Sequence, residues 1–322
     1  MAQLASLTLN TSGSLDLSNA TENTSSAGNV WYDTSTNQIK YSYQGFGAGA
    51  WSAGGPLITA RPYLSGAGTQ NAGLAFGGLD PSLPAPANNL SCTEEYNGSA
   101  WSSGGNLITG RYVLAGAGTQ NAGLAFGGAP GSLEGTATEE YDGSTWSTSN
   151  NMLSILQQHA GAGTQNAGLA FGGFQSSCTE EYNGTSWSSG GALITARRGL
   201  AGAGTQNAGL VFGGVCPPTL SCTEEYNGTS WSTGGVLINA RSFLGGAGTQ
   251  NAGLAFGGNN PACTEEYDGS SWSAGGALIT ARATLAGAGT QDAGLAFGGL
   301  TPTIVSCTEE YNKSISIGIC SL

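Results

Sequence analysis

Basic residues are scarce in this chain. Only 9% of its 322 residues are charged, with 8 lysines and arginines against 20 aspartates and glutamates, for a net charge of −12. A nucleic-acid partner is disfavoured, because affinity for a phosphate backbone comes from clustered Lys and Arg. The same acidic surface promotes solubility and resists anionic membranes. No apolar run reaches the length that crosses a bilayer, so no membrane insertion is expected. The opening Met1-Ala2-Gln3-Leu4-Ala5-Ser6-Leu7 has neither a basic n-region nor a long apolar stretch, and we expect no signal peptide. Histidine occurs once, at His159, and the 7 cysteines include no Cys-x-x-Cys pair, which leaves a zinc site without a ligand set. The Gly-x-Gly runs precede no helical pattern and so do not form a dinucleotide fingerprint. We expect no metal, no cofactor and no catalytic residue.

What the chain does have is glycine, 56 residues of it, together with 7 tryptophans and 11 tyrosines. That mixture suits short strands joined by tight turns. No strict every-third-residue glycine appears, which excludes collagen, and a hydrophobic content of 39% supplies a core. The stretch from Gly66 to Gly78, Gly-Ala-Gly-Thr-Gln-Asn-Ala-Gly-Leu-Ala-Phe-Gly-Gly, recurs nearly letter for letter from Gly116, Gly161, Gly202, Gly246 and Gly287. Its glutamines (Gln70, Gln120, Gln165, Gln206, Gln250 and Gln291) mark a period of roughly 40–50 residues, the signature of a closed array or a solenoid. Each copy leads to Thr-Glu-Glu-Tyr, ending at Tyr96, Tyr141, Tyr182, Tyr226, Tyr267 and Tyr311. A Trp-Ser follows the first five, at Trp101, Trp146, Trp187, Trp231 and Trp272, and another stands ahead of the array at Trp51.

One repeat reads as four short strands: Leu64 to Gly68, Ala72 to Phe76, Cys92 to Tyr96, and one carrying Trp101. Asn97-Gly98 is a strong hairpin signal between the last two. Four antiparallel strands repeated six times predict an all-β propeller with small residues nearest the crowded axis. The last repeat lacks its Trp-Ser, so the Trp51 strand is expected to complete it and close the ring. The competing arrangement uses Ser314 to Ile319 as that strand and lets the N-terminal hairpin build a seventh blade with Trp51. We favour six.

These residues resemble kelch repeats. The resemblance rests on the Gly-Gly ending the second strand, the Glu-Tyr of the third, the Trp of the fourth, and an arginine before the first: Arg61, Arg111, Arg197, Arg241 and Arg282. The third repeat departs, with Ser154-Ile155-Leu156-Gln157-Gln158-His159 in that place. The resemblance covers about residues 50–312 and implies blades around a central channel. The repeats are also similar to glycine-rich kelch-like arrays in structural proteins of tailed bacteriophages. The run from Val30 to Tyr43 is similar to segments of phage tail and fibre proteins. This implies a non-enzymatic virion component of the tail, a fibre or a surface appendage, present in multiple copies per particle, with a role in host attachment. A bacterial kelch-type adhesin or scaffold and a carbohydrate-active enzyme are the alternatives. The missing secretion signal counts against the first, and the missing acid–base or metal cluster against the second. Fold alone does not decide among them.

Residues 1–45 read as a polar arm followed by an aromatic hairpin, with too little apolar surface to fold separately. We take them as an assembly segment that joins other virion proteins, with Val30, Trp31, Tyr32, Tyr41 and Tyr43 as its candidate residues, and take 46–322 as the propeller. Adjacent strand residues face opposite ways, so the two glutamates of each Thr-Glu-Glu-Tyr cannot act together on one substrate. The recurrent arginines are expected to pair with one of them. Cys92, Cys178, Cys222, Cys263 and Cys307 precede Thr-Glu-Glu, where Ala137 stands in the second repeat, and are expected to fill a small buried apolar slot. The sequons at Asn97, Asn183 and Asn227 alternate with Asp142 and Asp268 and read as turn residues.

Variation among copies carries the functional expectation. Thr-Gln-Asn and the Asn/Asp-Gly turn barely change. The loop after the second strand does change, from Leu79–Ser91 to the short Asn259–Ala262, and includes Gly131-Ser132-Leu133-Glu134 in the second repeat. The crossovers between repeats also change. Both emerge on one face, which is the expected recognition face for a host surface protein or glycan. Its candidate residues are Tyr63, Leu79, Asp80, Pro81, Tyr112, Val113, Phe174, Arg198, Pro217 and Phe243. The opposite, uniform face offers Thr69-Gln70-Asn71 and its copies to solvent or to a repetitive partner.

Overall fold

A computed structural model describes residues 30–33, 38–46, 49–129, 135–259, 262–313 and 315–321, the segments 30–46 and 315–321 through their backbone alone. The chain divides into two compact units.

The larger, Gly49–Asn312, is a six-bladed β-propeller of four-stranded antiparallel sheets. The first blade runs Ser65–Thr69, Ala72–Phe76, Thr93–Tyr96 and Trp101–Ser103 in spatial order. The next four blades repeat this order, with first strands starting at Ala115, Ala160, Ala201 and Gly245. The sixth takes Ala286–Gly289, Ala293–Phe297 and Thr308–Asn312 from the end of the array and Ala50–Gly54 from its beginning. Trp51 faces Tyr311 in the same register as Trp101 faces Tyr96. Six blades and closure through the Trp51 strand therefore stand. The competing fourth strand is placed elsewhere: Ile315–Ser321 pairs antiparallel with Gln38–Phe46, which pairs in turn with Val30–Asp33. These three strands form the sheet of the second unit, which combines residues up to Ala48 with Lys313–Leu322.

Strand composition follows position in the blade. The six innermost strands line the axis side by side, and only residues without bulk fit there. A Cβ on Gly66 would lie 2.4 Å from the Phe297 ring of the preceding blade, and one on Gly116 would lie 2.4 Å from Phe76. Outside this ring, each second strand buries Leu, Ala or Val, and Phe completely, as at Leu74, Ala75 and Phe76. The fourth-strand Trp then closes the wedge between blades. Trp101 lies 4.9 Å from Tyr96 of its own blade and 5.0 Å from Phe297 of the preceding one, ring centre to ring centre. Tilted aromatic contacts of this kind add to what area burial alone supplies.

Candidate functional site

The repeated polar residues are consumed by the frame. Each fourth-strand Trp donates its indole N–H to the Thr hydroxyl that begins the third strand of the preceding blade, as Trp146 does to Thr93 at 2.9 Å. The Tyr hydroxyl of each Thr-Glu-Glu-Tyr donates to the second glutamate of the preceding blade, as Tyr141 does to Glu95 at 2.6 Å. Every repeat glutamine reaches back as well: the Gln120 amide donates to the carbonyls of Gly73 (3.0 Å) and Tyr96 (2.7 Å). The ring closes with the same three contacts, Trp101 to Thr308, Tyr96 to Glu310, and Gln70 to Gly294 and Tyr311. Offering Gln70 and its copies to solvent or to a partner was the wrong expectation. Their amides join the blades, and only the neighbouring Thr69 and Asn71 are exposed.

The first glutamate of each pair serves its own blade. Arg61 meets Glu94, Arg111 meets Glu139 at 3.1 Å, Arg197 meets Glu224, Arg241 meets Glu265 at 3.0 Å and Arg282 meets Glu309, each arginine arriving on the crossover that enters that blade. Both carboxylates of every Thr-Glu-Glu-Tyr thus have structural tasks, but Glu180 in the third blade has only a crossover N–H and no arginine as partner. There Leu156 occupies the arginine position and is itself buried. His159 stands where the other blades have leucine. It is buried without a hydrogen-bond partner for either ring nitrogen, and burial, followed by the nearby Arg111 guanidinium, lowers its pKa to about 3.

The cysteines do not fill a buried slot. Cys92, Cys222, Cys263 and Cys307 are half-buried, Cys178 is exposed, and all are free thiols. What the position supplies is its backbone carbonyl, which accepts from the arginine at Cys222 (2.8 Å), at Cys263 (2.6 Å) and equally at Ala137 (2.6 Å). A backbone role explains why alanine serves. The Asn/Asp turns also have a local cause. The Asn97 side-chain oxygen accepts from the N–H groups of Ser99 and Ala100, and Asp142 and Asp268 make the same contacts to Ser144 and Thr145 and to Ser270 and Ser271.

Crossovers and second-to-third loops meet on one face. Tyr112 pairs with Ala129, Arg198 with Val215 and Ala283 with Leu300 as isolated antiparallel bridges, and the Leu79 N–H donates to the Pro62 carbonyl at 3.0 Å. At the axis the crossovers join in a closed hydrogen-bonded ring. The N–H of Val113 donates to the carbonyl of Tyr63, Gln158 to Val113, Gly199 to Gln158, Phe243 to Gly199, Thr284 to Phe243, and Tyr63 back to Thr284, at 2.6 to 3.1 Å. All six residues have positive φ, between 50° and 58°. For Val113 and Thr284, branched at Cβ, that conformation is strained and persists because the ring over-determines it.

The expected recognition residues divide among three places on this face. Tyr63, Val113 and Phe243 belong to the axial ring and rim the channel mouth, with Tyr112 6.3 Å from Tyr63, ring centre to ring centre. Phe174 and Arg198 form one unit, with the guanidinium 4.4 Å over the phenyl ring, and Arg198 and Pro217 line a neighbouring cleft. Leu79 is bridged to Asn89, Asp80 accepts from the Ser82 N–H and hydroxyl, and Pro81 is exposed beside them. Gly131–Glu134 lie outside the described residues, and so do the side chains of Val30, Trp31, Tyr32, Tyr41 and Tyr43. One feature of this face escaped the sequence reading. Ile58, Ile108, Leu153, Ile194, Ile238 and Ile279, one per crossover, are each 57% to 61% exposed. The residue just before each, Leu57 and its equivalents, is buried and packs in the core.

Among the described residues, no three His, Cys, Asp or Glu side chains gather as a metal site, and no helix is long and apolar enough to cross a membrane. No protein-family model matches the chain, and no curated protein matches it.

Proposed function

We propose that this chain is a non-enzymatic recognition scaffold and a structural component of a tailed-phage virion. In this reading the propeller stands in the tail, a fibre or a surface appendage, in multiple copies, and the crossover face contacts the host surface. The observation that carries the recognition role is the division of labour among the residues. Tyr, Trp, Gln and the second Glu of the repeats are spent on joining neighbouring blades and Arg with the first Glu on bracing each blade, while the variable loops and the exposed aliphatic ring share one face of a rigid ring. Apolar groups held open to solvent on such a face are the usual material of a protein contact. The virion assignment rests on the resemblance of the repeats and of Val30–Tyr43 to phage structural proteins. Residues 1–45 would then attach the chain to other virion proteins, and the protein would be made in the host cytoplasm.

Mass spectrometry of purified particles, followed by imaging of a tagged chain within them, tests the location. Stoichiometric presence in particles supports the reading, and absence from them contradicts it. Deleting residues 1–45 should leave the propeller folded and remove it from particles. Normal incorporation of the truncated chain would reject the assembly role.

A further inference from the structure

The third blade keeps a receptor for a guanidinium and lacks the guanidinium. In the other five blades the crossover arginine meets second-strand carbonyls, at Ala75, Ala125, Ala255 and Ala296, carbonyls of the glycine after that strand, at Gly127, Gly213 and Gly257, and three further kinds of acceptor. One is the first glutamate of Thr-Glu-Glu-Tyr. A second is the carbonyl two residues before that glutamate, at Ala137, Cys222 and Cys263. The third is the carbonyl two residues before the arginine, at Thr59, Thr195 and Thr280. The matching residues of the third blade are Glu180, Cys178 and Ser154. All three line one cavity of about 180 Å³, open to the outside. Leu156 brings no charge to it.

Glu180 is only 2% exposed. Its Oε2 accepts from the Leu153 N–H at 2.8 Å, while its Oε1 has no hydrogen-bond partner. In four of the other blades the corresponding oxygen accepts from a crossover N–H as well as from an arginine, as Glu94 Oε1 does from Thr59 and Arg61. A buried carboxylate without a counter-charge is costly, and such a group is normally paired.

We propose that this cavity binds a guanidinium cation supplied from outside the chain. The donor is either an arginine side chain of a partner polypeptide or a free guanidinium compound. The planar donor set suits a carboxylate flanked by carbonyls, and five blades of the same molecule display the pairing. The site follows from blade geometry and stands whether or not the variable loops recognise a host.

The test uses the full chain titrated with methylguanidinium at neutral pH, read by calorimetry and by the shift in Tm. One saturable site per chain is expected. Glu180→Gln keeps the shape, removes the charge, and should weaken binding about thirtyfold or more, the loss typical when one partner of a buried charge pair is removed. Leu156→Arg should fill the cavity from within, raise Tm and abolish uptake of methylguanidinium. An acetyl-Gly-Arg-Gly-amide peptide that binds more tightly than methylguanidinium assigns the site to a partner's arginine, whereas equal or weaker binding assigns it to the free cation. Absence of saturable binding to the unmodified chain, or unchanged affinity in Glu180→Gln, overturns the proposal.

Discussion

Tyr96 and its counterparts show how single residues carry the ring. Burial, reinforced by a hydrogen bond to a neighbouring glutamate, pushes the hydroxyls of Tyr96, Tyr141, Tyr182, Tyr226 and Tyr267 up to about 12, and raises that of Tyr311 as well. An unfolded chain gives up these protons near pH 10. The stability they contribute is therefore complete below pH 10 and is lost as pH rises through about 12. Tyrosinate absorbance from these positions should appear together with loss of β-structure in an alkaline titration; absorbance that rises well before unfolding would show the hydroxyls to be accessible. His159 gives the opposite limb. Its folded pKa of about 3 lies below the ordinary 6.5, so the unfolded chain binds the proton first and stability falls as pH drops from 6.5 toward 3. His159→Leu restores the residue found at Leu64, Leu114, Leu200, Leu244 and Leu285. It should flatten that part of the curve of unfolding free energy against pH, and an unchanged slope in urea titrations would contradict it. Trp231→Ala removes an indole packed on Phe171 and Tyr226 and bonded to Thr179. A loss of about 3–5 kcal/mol is expected from equilibrium unfolding, in the range of large-to-small substitutions of buried aromatics. A loss below about 1 kcal/mol, typical of surface sites, would mean that the indole is not part of the core.

At the level of strands, blade content was legible because glycine doublets, the Asn/Asp-Gly turn and Trp-Ser punctuate each repeat in order. Ring closure was legible because a Trp-Ser is missing at one end and surplus at the other. The tasks of Gln70 and of the cysteine position were not. Both depend on carbonyls brought close only by the ring, and no side-chain pattern marks a carbonyl. The axial ring was hidden for the same reason, since Tyr63, Val113, Gln158, Gly199, Phe243 and Thr284 share a backbone conformation and no chemistry. On the candidate face, sequence variation drew attention to the loops and away from Ile58 and its equivalents, whose exposure only the fold reveals. Closure by the Trp51 strand makes a firm expectation about truncation. Removing residues 1–48 together with 313–322 should leave a cooperative propeller of nearly unchanged Tm. Extending the deletion through Gly54 should lower Tm strongly and expose the third strand of the last blade. Circular dichroism melts of the two truncations compare them directly, and equal Tm values would refute closure by that strand.

For the molecule as a whole, the proposed function assigns recognition to one face and none to the other. Loop length has a weak effect on stability, so replacing Leu79–Ser91 with the short Asn259–Ala262 segment should leave the Tm close to that of the parent. The direct measurement is binding of three purified chains to host cells or to the isolated partner: the parent, this loop replacement, and a chain altered at the exposed Thr69 and Asn71 and their equivalents on the uniform face. Reduced binding by the loop replacement alone, with all three chains folded, is the predicted result. Intact binding by the loop replacement, together with loss on changing the Thr and Asn turns, would contradict it and place recognition on the opposite face.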